Sequence, residues 1–294
     1  MDRGTLLLSV DFEDWHQLVR RRIGLEDWEQ PGPALQRQTE RLLALLERRG
    51  VRATFFVLGM AARSHPELVS RIAGAGHEIA CHGDAHRLVS SQTPHEFAAD
   101  LRAARSTIEQ LSGRRPLGYR APAFSITPWA YEVLVEEGFA YDASQHDSPL
   151  MGERAAAAGA APHPLELANG TLWEFPVAVW RPGGARVPVG GPSYWAVLPT
   201  PVVLKGLAEA GPLAGLYLHP YELDPEPLRL GLPRSCTSRQ RAHGLLRTLQ
   251  RNHARMRAPG VLEAIADRFR LIPYGDAPVD HVTGSAERVV GSSR

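Results

Sequence analysis

The chain has 294 residues, a hydrophobic fraction of 44%, a charged fraction of 22% and a formal charge of +1. That length can bury a full core, and so even a charge balance sets up no overall field to draw nucleic acid or an acidic membrane surface. No apolar run approaches the roughly 18–20 residues that span a bilayer, and the two cysteines, Cys81 and Cys236, indicate no disulfide framework.

Leu6 to Val10 is the first strand-like run. It is shorter than the roughly 7–15 apolar residues of a secretory leader, so the expected location is the cytoplasm. The run ends on an acidic cluster, Asp11, Glu13 and Asp14. Ala34 to Arg49 places Leu35, Leu42, Leu43 and Leu46 on one helical face, with Gly50 as the expected C-terminal stop. Ala53 to Leu58 reads as a fully buried strand. Ser64-His65-Pro66-Glu67 has capping-box spacing and is expected to open a helix through Ile72. Glu78 to Cys81 is the next strand, and Thr93-Pro94-His95-Glu96 opens another capped helix. Leu117 to Tyr119 (strand), Pro128 to Glu137 (helix) and Phe139 to Tyr141 (strand) continue an alternation that favours a parallel sheet, open or closed.

The second half is less regular. Met151 to Pro162 is alanine-rich and reads as loop, whereas Trp173 to Val179 and Leu216 to Leu218 read as strands, the latter after a helix from Val202 to Ala210. Val189 to Trp195 is a glycine- and aromatic-rich loop suited to shaping a pocket. Arg239 to Arg257 is a basic helix with Leu245, Leu246 and Leu249 as its apolar positions, its arginines expected to form a solvated face rather than a nucleic-acid patch. Asp276 to Arg294 lacks apolar patterning and is expected to be a disordered tail. No repeat is visible.

The chemistry concentrates in His82-Gly83-Asp84-Ala85-His86. Two histidines four apart, directly after a strand, can aim both imidazoles at one divalent metal; the bland alternative is two rings bonded to nearby carbonyls. Asp11, Glu13, Asp14, Arg120, Asp142 and His219 also fall just past strand-like runs, where functional groups of parallel α/β folds collect. Cys81 adjoins His82, but strand alternation points it the other way, towards packing.

These segments, in order, resemble the NodB-type polysaccharide deacetylases, carbohydrate esterase family 4. Ser9 to Asp14 stands at the first acidic motif, Ala53 to Gly59 at the second strand, and Gly76-His77-Glu78-Ile79 with His82 and His86 at the histidine motif. Arg120-Ala121-Pro122, Tyr141 to Ser144 and Leu216 to His219 are similar to the later motifs. Asp-Phe-Glu-Asp-Trp, Glu-Phe-Pro-Val and His-Pro-Tyr-Glu resemble a subgroup associated with bacterial exopolysaccharide clusters, which adds a short helical extension. The resemblance implies a distorted or incomplete (β/α) barrel over residues 1–225, a helical extension over 226–275 packed on it, and the tail over 276–294.

It further implies a metal, zinc first, held by two histidines and a carboxylate, and an N-acetylated saccharide as substrate. Asp11 would be the catalytic base, Arg120 would orient it, and His219 would protonate the departing amine. The family has two adjacent aspartates where this chain has Asp11, Glu13 and Asp14, so the carboxylate ligand is either Glu13 or Asp14. Asp142 either tunes His219 or caps the following turn. Tyr194, Trp195 and Trp173 are candidates for stacking on sugar rings. Opening of cyclic amides, as by allantoinase-like relatives, and inactive glycan binding are the competing readings. The oligomeric state is left open.

Overall fold

The computed structural model describes residues 3–148 and 161–279. Its first strand, β1 (Thr5–Phe12), is buried because it runs between two packed layers. Alternation sends Leu6, Leu8, Val10 and Phe12 outward under the helices and Leu7 into a smaller inner cluster. Ser9 and Asp11 share the inner face with Leu7, and both bond the buried Arg120.

After β1 come α1 (Trp15–Arg22), α2 (Leu35–Arg49), β2 (Thr54–Val57), α3 (Gly59–Ser64), α4 (Pro66–Gly74) and β3 (Glu78–Cys81). Then α5 (Pro94–Ser112), β4 (Gly118–Tyr119), α6 (Pro128–Glu136) and β5 (Tyr141–Asp142) repeat the alternation. β6 (His163–Leu167) and β7 (Gly170–Glu174) form an antiparallel hairpin, and β8 (Val179–Trp180) and β9 (Val187–Pro188) a separate ribbon. The remainder is α7 (Pro192–Trp195), α8 (Thr200–Glu209), β10 (Gly215–Leu218), α9 (Ser238–Arg255), α10 (Ala258–Arg268) and β11 (Arg270–Ile272).

The main sheet runs β10-β1-β2-β3-β4-β5-β7-β6, parallel except for the hairpin. It curls into a barrel because Val177 N–H donates to Gln145 O (2.8 Å) and Ala178 N–H to Gly215 O (2.9 Å), joining the segment after β7 to β5 and to β10. The closure is irregular, made by an isolated bridge at Val177 and Gly215 and a few further backbone bonds, and β4 and β5 have two residues each, so this is the distorted α/β barrel expected from the sequence.

The opposite end is plugged by the C-terminal strand and turn. β11 pairs with Thr5–Leu7 of β1, below the stretch that pairs with β2. Tyr274 then enters the inner cluster, its N–H donating to Thr54 Oγ1 (2.7 Å), and Gly275 N–H donates to Glu78 Oε2 (2.7 Å). A Cβ on Gly275 would lie 2.8 Å from the Glu78 carboxylate, so a side chain there would push the carboxylate aside. Ala277 is buried too, so ordered packing runs beyond residue 275 into the expected tail. Residues 280–294, the rest of that tail, and 151–160 of the expected alanine-rich loop lie outside the described residues.

Several local expectations shift. Ser64 does not open a helix: its hydroxyl bonds Met60 O (3.0 Å) at the end of α3, and α4 starts at Pro66 after His65. Phe139 belongs to the end of α6, its N–H on Leu134 O (2.9 Å), so β5 starts only at Tyr141. The expected loop at 189–195 contains α7, and α1, with Trp15, Leu18 and Val19 at helical spacing, is a helix beyond those expected. The basic helix α9 is turned opposite to its expected orientation. Leu245, Leu246 and Leu249 are exposed, whereas Arg255 is buried with its guanidinium donating to the carbonyls of Tyr221, Asp224 and Glu226. Satisfying three carbonyls with one planar fork fixes that orientation.

His77 yields a test of packing. It is 4% exposed, its ring lies against Phe55, and Nδ1 accepts the Ala53 N–H (3.2 Å). Burial, and then the Arg52 charge, lower its pKa to about 4. Between about pH 6.5 and 4 the unfolded chain therefore binds a proton at this position that the folded chain refuses, and this contribution to stability falls as pH falls. Buried acids such as Glu174, whose pKa is raised by burial and by Asp142, pull the other way, so the expectation concerns a difference. His77→Gln keeps an acceptor for Ala53. Wild-type thermal stability should drop relative to this variant from pH 6.5 to 4 by a few degrees, measured by circular dichroism melts; parallel curves would refute it.

Candidate metal centre

The same alternation that builds the barrel aims the polar residues into its mouth. Glu13 lies two residues past Asp11 and Asp14 one further on, so they point in different directions. Asp14 turns away and caps α1: Oδ1 accepts the His16 N–H (2.9 Å) and Oδ2 the Gly32 N–H (2.5 Å). Of the two acids considered as ligand, Glu13 alone reaches the histidines. Its Oε2 lies 3.0 Å from His86 Nε2 and 3.5 Å from His82 Nε2, and its Oε1 lies 3.3 Å from His219 Nε2.

His82 follows Cys81 at the end of β3, its N–H extending the ladder to Val57 O (2.9 Å). Cys81 packs in the outer layer, where burial raises its thiol pKa to about 12, so it offers no thiolate. The next loop is pinned at several points. Gly83 is left-handed (φ 77°), Arg63 forks onto Asp84 (2.6 and 3.0 Å), and Asp84 N–H donates to Asp100 Oδ2 (2.9 Å). His86 is held at φ 51°, a conformation uncommon for a residue with a side chain.

The donor set suits a divalent metal. Glu13, His82 and His86 each present one ligand atom, all within 4.8 Å of one another. His82 Nδ1 donates to the Arg120 carbonyl (2.8 Å), which fixes the tautomer that leaves Nε2 free to bind. Burial pushes the Glu13 carboxyl up, but His86, His82 and His219 outweigh it and hold it well below its ordinary value. It is a carboxylate ready for a cation.

Two further pairs flank this cluster. Arg120, fully buried, donates from Nη1 to Asp11 Oδ1 (2.7 Å) and Ser9 Oγ (2.6 Å), from Nε to Ala143 O (2.9 Å), and from Nη2 to Tyr274 Oη (3.1 Å). On the other side, Glu222 Oε2 accepts from both the N–H (2.8 Å) and Nδ1 (3.0 Å) of His219. Burial pulls the His219 pKa down, but Glu222, then Glu13 and Asp11, carry it up to about 9.

Asp142 does not reach His219. It caps its own turn through Ser144 N–H (3.1 Å) and Oγ (2.6 Å), and Ser144 in turn receives the Ala121 N–H (2.8 Å), steadying the chain beside Arg120. Glu222, three residues past His219, is the partner that the sequence reading passed over; the His-Pro-Tyr-Glu spacing was the available signal. Among the proposed sugar-stacking residues, Trp195 is corrected: it is fully buried in the outer core with Nε1 on Val189 O (2.7 Å). Trp173 packs on the inner cluster against Phe175. Only Tyr194 borders the mouth, its hydroxyl 3.1 Å from Ser148 Oγ and its ring edge-on to His146. His146, Phe124 and Tyr217 form an aromatic wall that the sequence did not announce.

Residues 30–141 match the family model for polysaccharide deacetylase, and residues 145–259 match DUF3473, a domain of unknown function. A peptidoglycan deacetylase-like protein of Gibberella zeae is 32% identical over 156 residues, covering 50% of this chain and 46% of that protein. The peptidoglycan deacetylase of Helicobacter pylori is 33% identical over 104 residues (35% and 36%), and a peptidoglycan-N-acetylglucosamine deacetylase of Bacillus cereus 31% over 108 (37% and 39%). The chain thus spans less than half the length of these relatives. Among solved structures, a candidate polysaccharide deacetylase from Mycobacterium smegmatis superposes with a TM-score of 0.59 at 20% identity over 99% of this chain and 91% of that one. A carbohydrate esterase family 4 pseudoenzyme from Bacillus anthracis reaches 0.51 at 12% identity (92% and 64%). At these identities the likeness is one of fold.

The two first-strand acids can be separated directly. Glu13→Gln should lower zinc affinity by about 10-fold or more, the scale on which even outer partners of a metal site act. Asp14→Ala should keep the metal and lose about 1 kcal/mol of stability with its helix cap. Metal content after dialysis and urea melts read both, and metal loss in Asp14→Ala with retention in Glu13→Gln would reverse the assignment.

Proposed function

Because this chain belongs, through residues 30–141, to the polysaccharide deacetylases, we propose that it is a metal-dependent hydrolase that removes N-acetyl groups from amino sugars of a bacterial glycan or glycan precursor. The observation that carries the reading is the Glu13–His82–His86 cluster set between an Arg120-oriented aspartate and a Glu222-oriented histidine. Such a metal, zinc first, would be held by Glu13 and the two Nε2 atoms and would supply an acidified water and a polarised carbonyl.

The protein's own groups do the rest. Asp11, oriented by Arg120, accepts the proton of the attacking water. The water oxygen bonds the acetyl carbon, and negative charge gathers on the former carbonyl oxygen. The Ala123 N–H, in a left-handed turn (φ 51°), is a donor for that charge. His219, kept protonated by Glu222, delivers a proton to the amide nitrogen as the C–N bond breaks, giving acetate and a free amine. The aromatic wall of Phe124, His146 and Tyr217 fits the apolar face of the acetamido sugar. Among the described residues no helix is long and apolar enough to cross a membrane, and a cytoplasmic precursor as substrate is part of this reading.

Incubation of the zinc-loaded protein with N-acetylated oligosaccharides should release acetate and free amine in equal amounts, and chelation should abolish it. Asp11→Asn should retain metal and lose about 10²–10⁴ in kcat, the usual share of a general base. Glu222→Gln should lower kcat with metal content unchanged. Opening of a cyclic amide without acetate would replace this reading with the allantoinase-like one. Saturable glycan binding with neither product would make the chain a binding protein.

A further inference from the structure

The charged stripe of α9 that reaches Tyr221, behind His219, is not used by this chemistry. Gln240 Nε2 donates to Gly24 O (3.1 Å), and a Cβ on Gly244 would lie 3.5 Å from Ile23, so α9 runs along the end of α1. Residues 244, 247, 251 and 255 follow one another on one helical stripe. Arg255, the last of them, is explained by the three carbonyls it holds.

Arg247 and Arg251 have no such explanation. Arg251 lies 5.7 Å from the centre of the Tyr221 ring, which stacks on His219 at 5.0 Å, so its guanidinium stands one aromatic layer beyond the candidate acid. Arg247 donates to His243 Nε2 (3.2 Å) and Gln250 Oε1 (3.3 Å). Arg22, at the end of α1, is the third cation, and Arg22 and Arg251 both act on Arg247 as like charges. Among the described residues no carboxylate forms an ion pair with any of the three: the nearest acids acting on Arg251, Glu222 and Glu13, are engaged by His219 and the histidine cluster. The dipole of α1 favours Arg22 where it stands, but Arg247 and Arg251 sit within the body of α9.

Two half-buried arginines and an exposed third, gathered without an ion-paired carboxylate, are a site for an anion. We propose that Arg247 and Arg251, supported by Arg22, form a subsite for a carboxylate or phosphate group on the substrate, within about one sugar unit of the acetamido sugar. This rests on the deacetylase reading for the neighbouring sugar, and it makes the substrate an acidic glycan or a phosphate-linked sugar rather than a neutral polymer.

Calorimetric titration of the zinc-loaded protein at low salt separates the outcomes. The ligands are neutral chitotetraose, a tetrasaccharide alternating glucuronate and N-acetylglucosamine, and uridine diphosphate N-acetylglucosamine. One of the two anionic ligands should bind at least about tenfold tighter than chitotetraose, on the scale of one charge-assisted hydrogen bond. Which one does so tells an in-chain carboxylate from a diphosphate. Arg247→Gln/Arg251→Gln should erase that preference, as should high salt. Equal affinity for all three ligands, no detectable anion binding, or a preference that survives the double variant overturns the proposal. Acetate release without anion preference leaves the deacetylase and removes the subsite, and anion preference without acetate release does the reverse.

Discussion

A single guanidinium, fully buried in the middle of the barrel, is the constraint around which this protein is arranged. A charge taken that far from water is tolerated only when it is paired and hydrogen-bonded. Arg120 pairs with Asp11, bonds Ser9, Ala143 and Tyr274 as well, and covers its face with Phe56 at 4.1 Å. Those partners come from β1, from the residue after β5 and from the C-terminal turn. Ser9 passes the connection on to β10 by donating to Leu216 O (2.7 Å). The residue thus works in two directions: its side chain sets the orientation of Asp11, and its carbonyl sets the tautomer of His82.

What the sequence made legible was the part governed by short periods. Two-residue alternation put Asp11 and Glu13 on one face and sent Cys81 away from His82, and the barrel obeys it strand by strand. Alternation could not choose between Glu13 and Asp14, because that depends on whether a carboxylate is drawn off to the N-terminus of α1, which a strand's period does not report. Nor could it show that Tyr274 meets Arg120 across 154 positions, or that Arg255 would be buried while the leucines of its helix face solvent. These are settled by which carbonyls and charges lack partners after folding, a quantity no local pattern carries.

The candidate site is divided between the two matched regions of the chain. The first, with β1 before it, supplies the acids, the histidine pair and the arginine; the second supplies His219, Glu222 and the helix that holds them. The loop from 220 to 226 is gripped from both sides, by Arg37 and Arg41 on Asp224 and by Arg255 on its carbonyls. The grip is shared between the regions, Arg37 and Arg41 from the first and Arg255 from the second, and it steadies the turn that sets Glu222 on His219.

The plug formed by β11 and Tyr274 also sets an order of assembly. Two of the three strands that neighbour β1, β10 and β11, follow it in the chain only after every other strand of the sheet. A nascent chain halted short of residue 274 would hold a buried cation lacking one of its oxygen partners and a barrel open at its base. Long-range parallel pairing of this kind is intrinsically slow. The buried guanidinium and the aspartate it orients therefore reach their full set of contacts only once the turn at Tyr274 has joined the barrel.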